Sequence, residues 1–142
     1  MVDTNVVAYL LLPGPHTEAA EALLMEQPAW AAPPLWRSEW RNVLIGYLRR
    51  GQLGLDQVLA LQQQAEDLVI RHEESVASDA VLRLAASSGC SAYDCEFVTA
   101  AQQLNVPLIT ADQALRNAFP DLAHPLSEAT TAEQPAEQGL AL

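Results

Sequence analysis

The sequence predicts an α/β domain with three layers, α/β/α, in which helices cover a short, mostly parallel sheet. Three observations carry this. Brief apolar runs that suit strands alternate with longer stretches of helical period, and such alternation yields a parallel sheet covered on both faces. Acidic residues fall where strands end or helices begin, on the rim where open α/β sheets take ligands. The 142 residues, half of them apolar and 18% charged, are enough for one globular core and too few for two.

Taken in order, Val2 and Asp3 close a first strand, and residues 5–12 form an apolar helix stopped by Pro13-Gly14-Pro15. Residues 16–26 repeat apolar side chains at helical spacing through Ala19, Ala20, Leu23 and Leu24. A short strand is expected over 30–32, and Pro33-Pro34 leads into the next helix, where proline fits the first positions. That helix spans about 36–50, with Trp36, Trp40, Val43, Leu44, Tyr47 and Leu48 as its buried stripe, and Gly51 ends it. Residues 55–68 form another, with Leu55, Val58, Leu59, Gln62 and Ala65 on one face. Val69-Ile70 reads as a brief strand. Residues 78–86 are helical and close at Gly89, which suits a left-handed cap. Ser91 opens a helix that runs through Leu104, residues 106–110 form a buried strand, and 113–118 a last short helix. A final strand is expected near 122–126. From Ser127 the apolar period is lost, so the domain is read as 1–126 and residues 127–142 as a disordered tail.

Composition excludes several classes. The longest apolar run, 6–12, is far short of the roughly 20 residues of a membrane span. No basic leader with a small-residue cleavage site is present, so the expected compartment is the cytoplasm. Cys90 and Cys95 match neither zinc spacing nor a CxxC pair and are read as reduced, partly buried thiols without a role. The net charge of −11 opposes a general nucleic-acid coat. The chain has no lysine, and four of its seven arginines, Arg37, Arg41, Arg49 and Arg50, form a local basic patch; they are read either as phosphate contacts or as solvated helix charges pairing with nearby acids.

The chemistry lies in four carboxylates. Asp3 follows the first strand and Asp112 follows the 106–110 strand. Glu39 and Asp94 lie in the first turns of their helices. All four can face one rim, whereas Glu18, Glu21, Glu26, Asp56, Glu66, Asp67, Glu73 and Glu74 fall on polar faces or in loops. Each of the four has a plain structural reading. Asp112 can cap a helix, Asp94 can complete a capping box with Ser91, Glu39 can complement a helix dipole, and Asp3 can sit in a turn. Those readings leave their shared rim unexplained. Clustered carboxylates raise one another's pKa, and a hard divalent cation such as Mg²⁺ or Mn²⁺ relieves the repulsion. Phosphodiester hydrolysis suits such a site, with one ion or with two about 3.5–4 Å apart. No Walker loop, dinucleotide fingerprint or Ser-His-Asp arrangement competes, and His16, His72 and His124 have no partner at ligand spacing.

At these residues the sequence resembles the PIN-domain family, and more narrowly its VapC-type toxin ribonucleases. The resemblance rests on Val2-Asp3-Thr4-Asn5-Val6, Ser38-Glu39-Trp40-Arg41-Asn42-Val43-Leu44, Ala92-Tyr93-Asp94-Cys95-Glu96-Phe97-Val98 and Pro107-Leu108-Ile109-Thr110-Ala111-Asp112, in the family's order. It implies a Mg²⁺- or Mn²⁺-dependent endoribonuclease with Asp3, Glu39, Asp94 and Asp112 as acidic ligands and Thr4, Asn5 and Thr110 as polar supports. It also implies a homodimer, an RNA substrate and a cognate antitoxin whose tail lies in the groove. Two features depart from the pattern. Only Met1 and Val2 precede Asp3, so the first strand is short or its start lies upstream. Glu96 points about 200° around its helix from Asp94 and is expected to be a solvated helix residue. Other readings are a PIN nuclease of ordinary RNA processing, a catalytically idle PIN-fold binding module, and a metal-dependent phosphatase. The idle module should have lost an acid, and the phosphatase lacks a second acid at Asn5.

Overall fold

A computed structural model describes residues 1–126, so the expected tail at 127–142 lies outside the described residues. Seven helices are present among them: α1 (Thr4–Leu11), α2 (Thr17–Glu26), α3 (Leu35–Arg49), α4 (Leu55–Val69), α5 (Ser78–Ser88), α6 (Ala92–Leu104) and α7 (Gln113–Ala118). A 3₁₀ turn, Ile70–His72, follows α4. Strands β1 (Leu108–Ile109) and β2 (Ala123–His124) pair in parallel, Leu108 with Ala123 and Ile109 with His124. The molecule is the helix-rich α/β fold with a short parallel sheet that the alternation predicts.

The sheet extends beyond its two regular strands through single bridges. Val2 pairs in parallel with Ile109, and the amide of Val2 donates to the carbonyl of Ala31 at 2.9 Å. Ala32 in turn pairs in parallel with Glu73. The chain segments therefore lie in the order 72–74, 31–32, 1–3, 108–110 and 122–124. The expected strand at 30–32 is reduced to this one bridge. The expected strand at Val69-Ile70 is not formed, because Val69 follows Ala65 by four residues and both are buried on α4. The segment that pairs lies three residues later.

The helix ends follow local chemistry. Asp3 caps α1, its side chain accepting from the Thr4 amide. Gly89, at φ 77°, closes α5 in the left-handed conformation its lack of a Cβ allows. Ser91 caps α6 by accepting from the Asp94 amide at 3.0 Å, and Asp112 caps α7 by accepting from the Leu115 amide at 3.1 Å. Trp30, Trp36, Trp40, Leu44, Phe97, Val98 and Leu108 fill the core. One expected face packs only in part: Leu55 and Leu59 of α4 are 58% and 60% exposed, while Val58 packs against the core and Ala65 is buried. No described helix is long and apolar enough to cross a membrane.

Candidate functional site

The first three residues set the position of the site. The Ile109 amide donates to the Met1 carbonyl and the Asp3 amide to the Ile109 carbonyl, each at 2.9 Å, so Asp3 leaves the sheet beside the end of β1. Its Oδ1 accepts from the Thr4 amide at 2.8 Å and its Oδ2 from the Thr110 hydroxyl at 2.6 Å. The same Thr110 oxygen accepts from the Asp112 amide at 3.0 Å, which ties the turn after β1 to the start of α1. Asn5 adds to this tie. Its side-chain carbonyl accepts from the Ala111 amide at 3.3 Å, and its amide lies 3.5 Å from Asp3 Oδ2. Thr4 reaches a third element, donating its hydroxyl to Glu39 Oε1 on α3 at 2.7 Å. Thr4, Asn5 and Thr110, expected to be polar supports, thus make the bonds that join the elements of Asp3, Glu39 and Asp112, while Asp94 on α6 is bonded to its own cap Ser91.

Asp3, Glu39, Asp94 and Asp112 are all half-buried, and they interact electrostatically. Burial pushes the Asp3 carboxyl above its ordinary value; hydrogen bonds from Thr110 and Thr4 oppose this, and the charges of Asp94 and Asp112 add to it. Burial raises Glu39 as well, opposed by the Thr4 hydroxyl and reinforced by Asp3, Asp94 and Glu96. Asp94 is raised by burial and by Asp112, with hydrogen bonding from Ser91 acting the other way. The structure therefore places Asp3, Asp94 and Asp112 within one another's fields, and Glu39 within those of Asp3 and Asp94. Asp94 and Asp112 also lie at helix starts as their plain readings require.

Glu96 corrects the sequence reading. It is half-buried, burial raises its carboxyl, and its charge acts on Glu39. The reason is the burial of α6, in which Cys95 and every residue from Phe97 to Ala101 are inaccessible. A helix enclosed on most sides leaves few solvated positions, and the continuous apolar run from Phe97 is the signal that indicates this. Glu66 and Glu73 also differ from the expected polar-face residues. Arg37 binds them at 2.6 and 2.5 Å, and the Trp36 indole donates to Glu73 at 2.6 Å. Arg37 is thereby an ion-pair residue, and Arg50 stacks on Tyr47 at 4.8 Å. Cys90 and Cys95 are free thiols, half-buried and buried respectively.

A model of the family described as PIN domain matches residues 1–119. The chain belongs to the PIN-domain family. It is also 28% identical over 129 residues to Ribonuclease VapC3 of Pyrobaculum aerophilum, a match that covers 88% of this chain and 98% of that one. The VapC-type likeness thus extends across almost the whole chain.

The four acids make a simple donor set for a metal. It is oxygen-only and anionic, and among the described residues the ion pairs involve Arg37 and none of the four acids. That composition fits a hard divalent cation better than zinc or copper. Among the described residues no three acidic, histidine or cysteine side chains stand close enough to share an ion as placed. A shared ion requires the carboxylates to turn toward a common point, against the hydrogen bonds that hold Asp3, Glu39 and Asp112.

Proposed function

We propose that this PIN-domain chain is an endoribonuclease that hydrolyses RNA phosphodiester bonds with Mg²⁺ or Mn²⁺ held by Asp3, Glu39, Asp94 and Asp112. The observation that supports it is four half-buried carboxylates near the same rim with no ion-pair partner among the described residues, three of them displaced toward the protonated form. Such a cluster disfavours its own ionisation until a cation joins it. When bound, the ion supplies an activated water and neutralises charge at the leaving oxygen.

The chain's own residues hold the constellation. Thr4 and Thr110 occupy one oxygen of Glu39 and one of Asp3, which fixes the orientation of both carboxylates. Asn5 and the Thr110–Asp112 bond keep the turn carrying Asp112 against α1. Glu96 adds negative charge on the Glu39 side.

In the same reading the protein is the toxin of a toxin–antitoxin pair, cytoplasmic and homodimeric, with a cognate antitoxin as inhibitor. The name of the Pyrobaculum relative supports this. So does an open groove between α3 and α4, about 610 Å³ and lined in part by Ile45, Val58 and Leu59, which can receive a protein partner.

The test is cleavage of RNA by inhibitor-free protein. Cleavage is expected with Mg²⁺ or Mn²⁺, absent in excess chelator, and lost in a folded Asp94→Asn variant. Cutting that persists in chelator overturns the mechanism. The toxin role is checked separately: expression should arrest growth, and co-expression of the small protein from the adjoining reading frame should restore it.

A further inference from the structure

We infer that Tyr93 is a stacking platform for an unpaired base next to the scissile phosphate, so that this acidic protein holds RNA through an aromatic face rather than a positive field. The inference rests on the nuclease reading above and concerns how the substrate is seated.

The chain has eight aromatic residues, and seven are accounted for by contacts within the protein. Trp30, Trp36, Trp40 and Phe97 are buried, and Phe119 packs against the core. Tyr9 lies on His16 with ring centres 4.5 Å apart, and Tyr47 lies under Arg50. Tyr93 is 64% exposed. It is the second residue of α6, immediately before Asp94 and two after the Ser91 cap. Helical side chains lean toward the N-terminus of their helix. A side chain at the second position therefore leans toward the start of α6, the end of the helix that carries Asp94. Successive helix residues diverge by about 100°, so Tyr93 and Asp94 leave the helix in different directions.

The charge balance gives this position its meaning. With a net charge of −11 and no lysine, the protein gains little from neutralising phosphates. Arg37 is engaged by Glu66 and Glu73, which removes one candidate contact. Stacking works without net charge and is open to any base not already paired in a duplex. In this seating one unpaired base lies against Tyr93 with its phosphate at the acids.

Steady-state cleavage of a single-stranded oligoribonucleotide in Mg²⁺ tests this, with wild type, Tyr93→Phe and Tyr93→Leu at low and high salt. Tyr93→Leu should raise KM about fivefold to a hundredfold, the range for loss of one stacked base, with kcat within about twofold. The factor should be the same at both salt concentrations, and Tyr93→Phe should keep the wild-type KM. Oligonucleotides made abasic in turn at each nucleotide flanking the cut should include one that raises KM for wild type and adds nothing for Tyr93→Leu. A wild-type KM in Tyr93→Leu, a loss confined to kcat, or equal abasic penalties in both proteins overturns the inference alone. No cleavage by wild type in Mg²⁺ or Mn²⁺ overturns the nuclease reading and this inference with it.

Discussion

Two carboxylate clusters touch α3 within one turn of each other, and they have been resolved in opposite ways. At Arg37, Glu66 and Glu73 converge on one guanidinium, Gln62 and the Trp36 indole add hydrogen bonds, and Glu66 is held below its ordinary range by Gln62 and Arg37. Two residues later Glu39 faces Asp3, Asp94 and Glu96 with a threonine hydroxyl as its donor, and is pushed upward. The first cluster is complete within the chain. The second is left in deficit by one or more positive charges. A folded protein keeps such a deficit only where a ligand will fill it or where other contacts offset the cost. On the proposed reading, the Arg37 end of the turn serves structure and the Glu39 end serves chemistry.

The largest expected effect comes from breaking the deficit side. Asp94→Asn should lower the RNA-cleavage kcat by at least about a hundredfold, beyond what loss of an outer-shell partner costs. Its melting temperature without metal should be equal to wild type or higher, since a repelling charge is gone. Thr4→Val is next. It frees Glu39 from its hydroxyl donor, and activity or metal affinity should fall about 10- to 100-fold. Thermal unfolding should report a loss of only about 0.5–1.5 kcal/mol.

The complete cluster should behave in reverse. Glu73→Gln leaves Arg37 and Trp36 short of a charged acceptor, and Glu73 is only 22% exposed. Denaturant unfolding should show a loss of about 1–3 kcal/mol, while kcat of the folded enzyme stays at the wild-type value. A Glu73→Gln enzyme that is stable but inactive would erase the distinction between the clusters.

The smallest effect is the dependence of metal-free stability on pH, and its sign differs between the clusters. Asp3, Glu39 and Asp94 hold their protons more tightly folded than unfolded. Their help to folding is complete below the ordinary carboxylate range and is lost as pH rises through the raised values. Glu66 is lowered, so its contribution is present above that range and is lost as pH falls through its lowered value. Melting temperatures across mildly acidic to neutral pH should therefore fall less steeply for Asp94→Asn than for wild type. Saturating Mg²⁺ should flatten the wild-type curve.

Helices were far easier to read from the sequence than strands. Pro13-Gly14-Pro15, Gly51, Gly89, the Ser91 cap and the Asp112 cap punctuate the chain by local chemistry, and the observed helix ends lie within a residue or two of them. Strand pairing is set by distant partners. Ala32 meets Glu73, and Val2 meets Ile109, through single bridges that no local pattern marks. Leu55 and Leu59 carry a correct helical period yet face outward, because periodicity shows that a face is apolar and not what covers it. The places of the four acids at strand ends and helix starts were legible from local chemistry. The surroundings of Glu96 were not, since they depend on how the rest of the chain encloses α6. The Arg37 clamp was hidden for the same reason, its three members being drawn from three segments.

Mn²⁺ binding to the metal-free protein, followed by electron paramagnetic resonance of the free ion, tests the central claim without relying on RNA or any partner. Wild type should remove Mn²⁺ from solution at one or two saturable sites, Glu73→Gln should match it, and Asp94→Asn should bind much more weakly. Equal binding by wild type and Asp94→Asn, or none by wild type, would contradict a cation site built from these four acids.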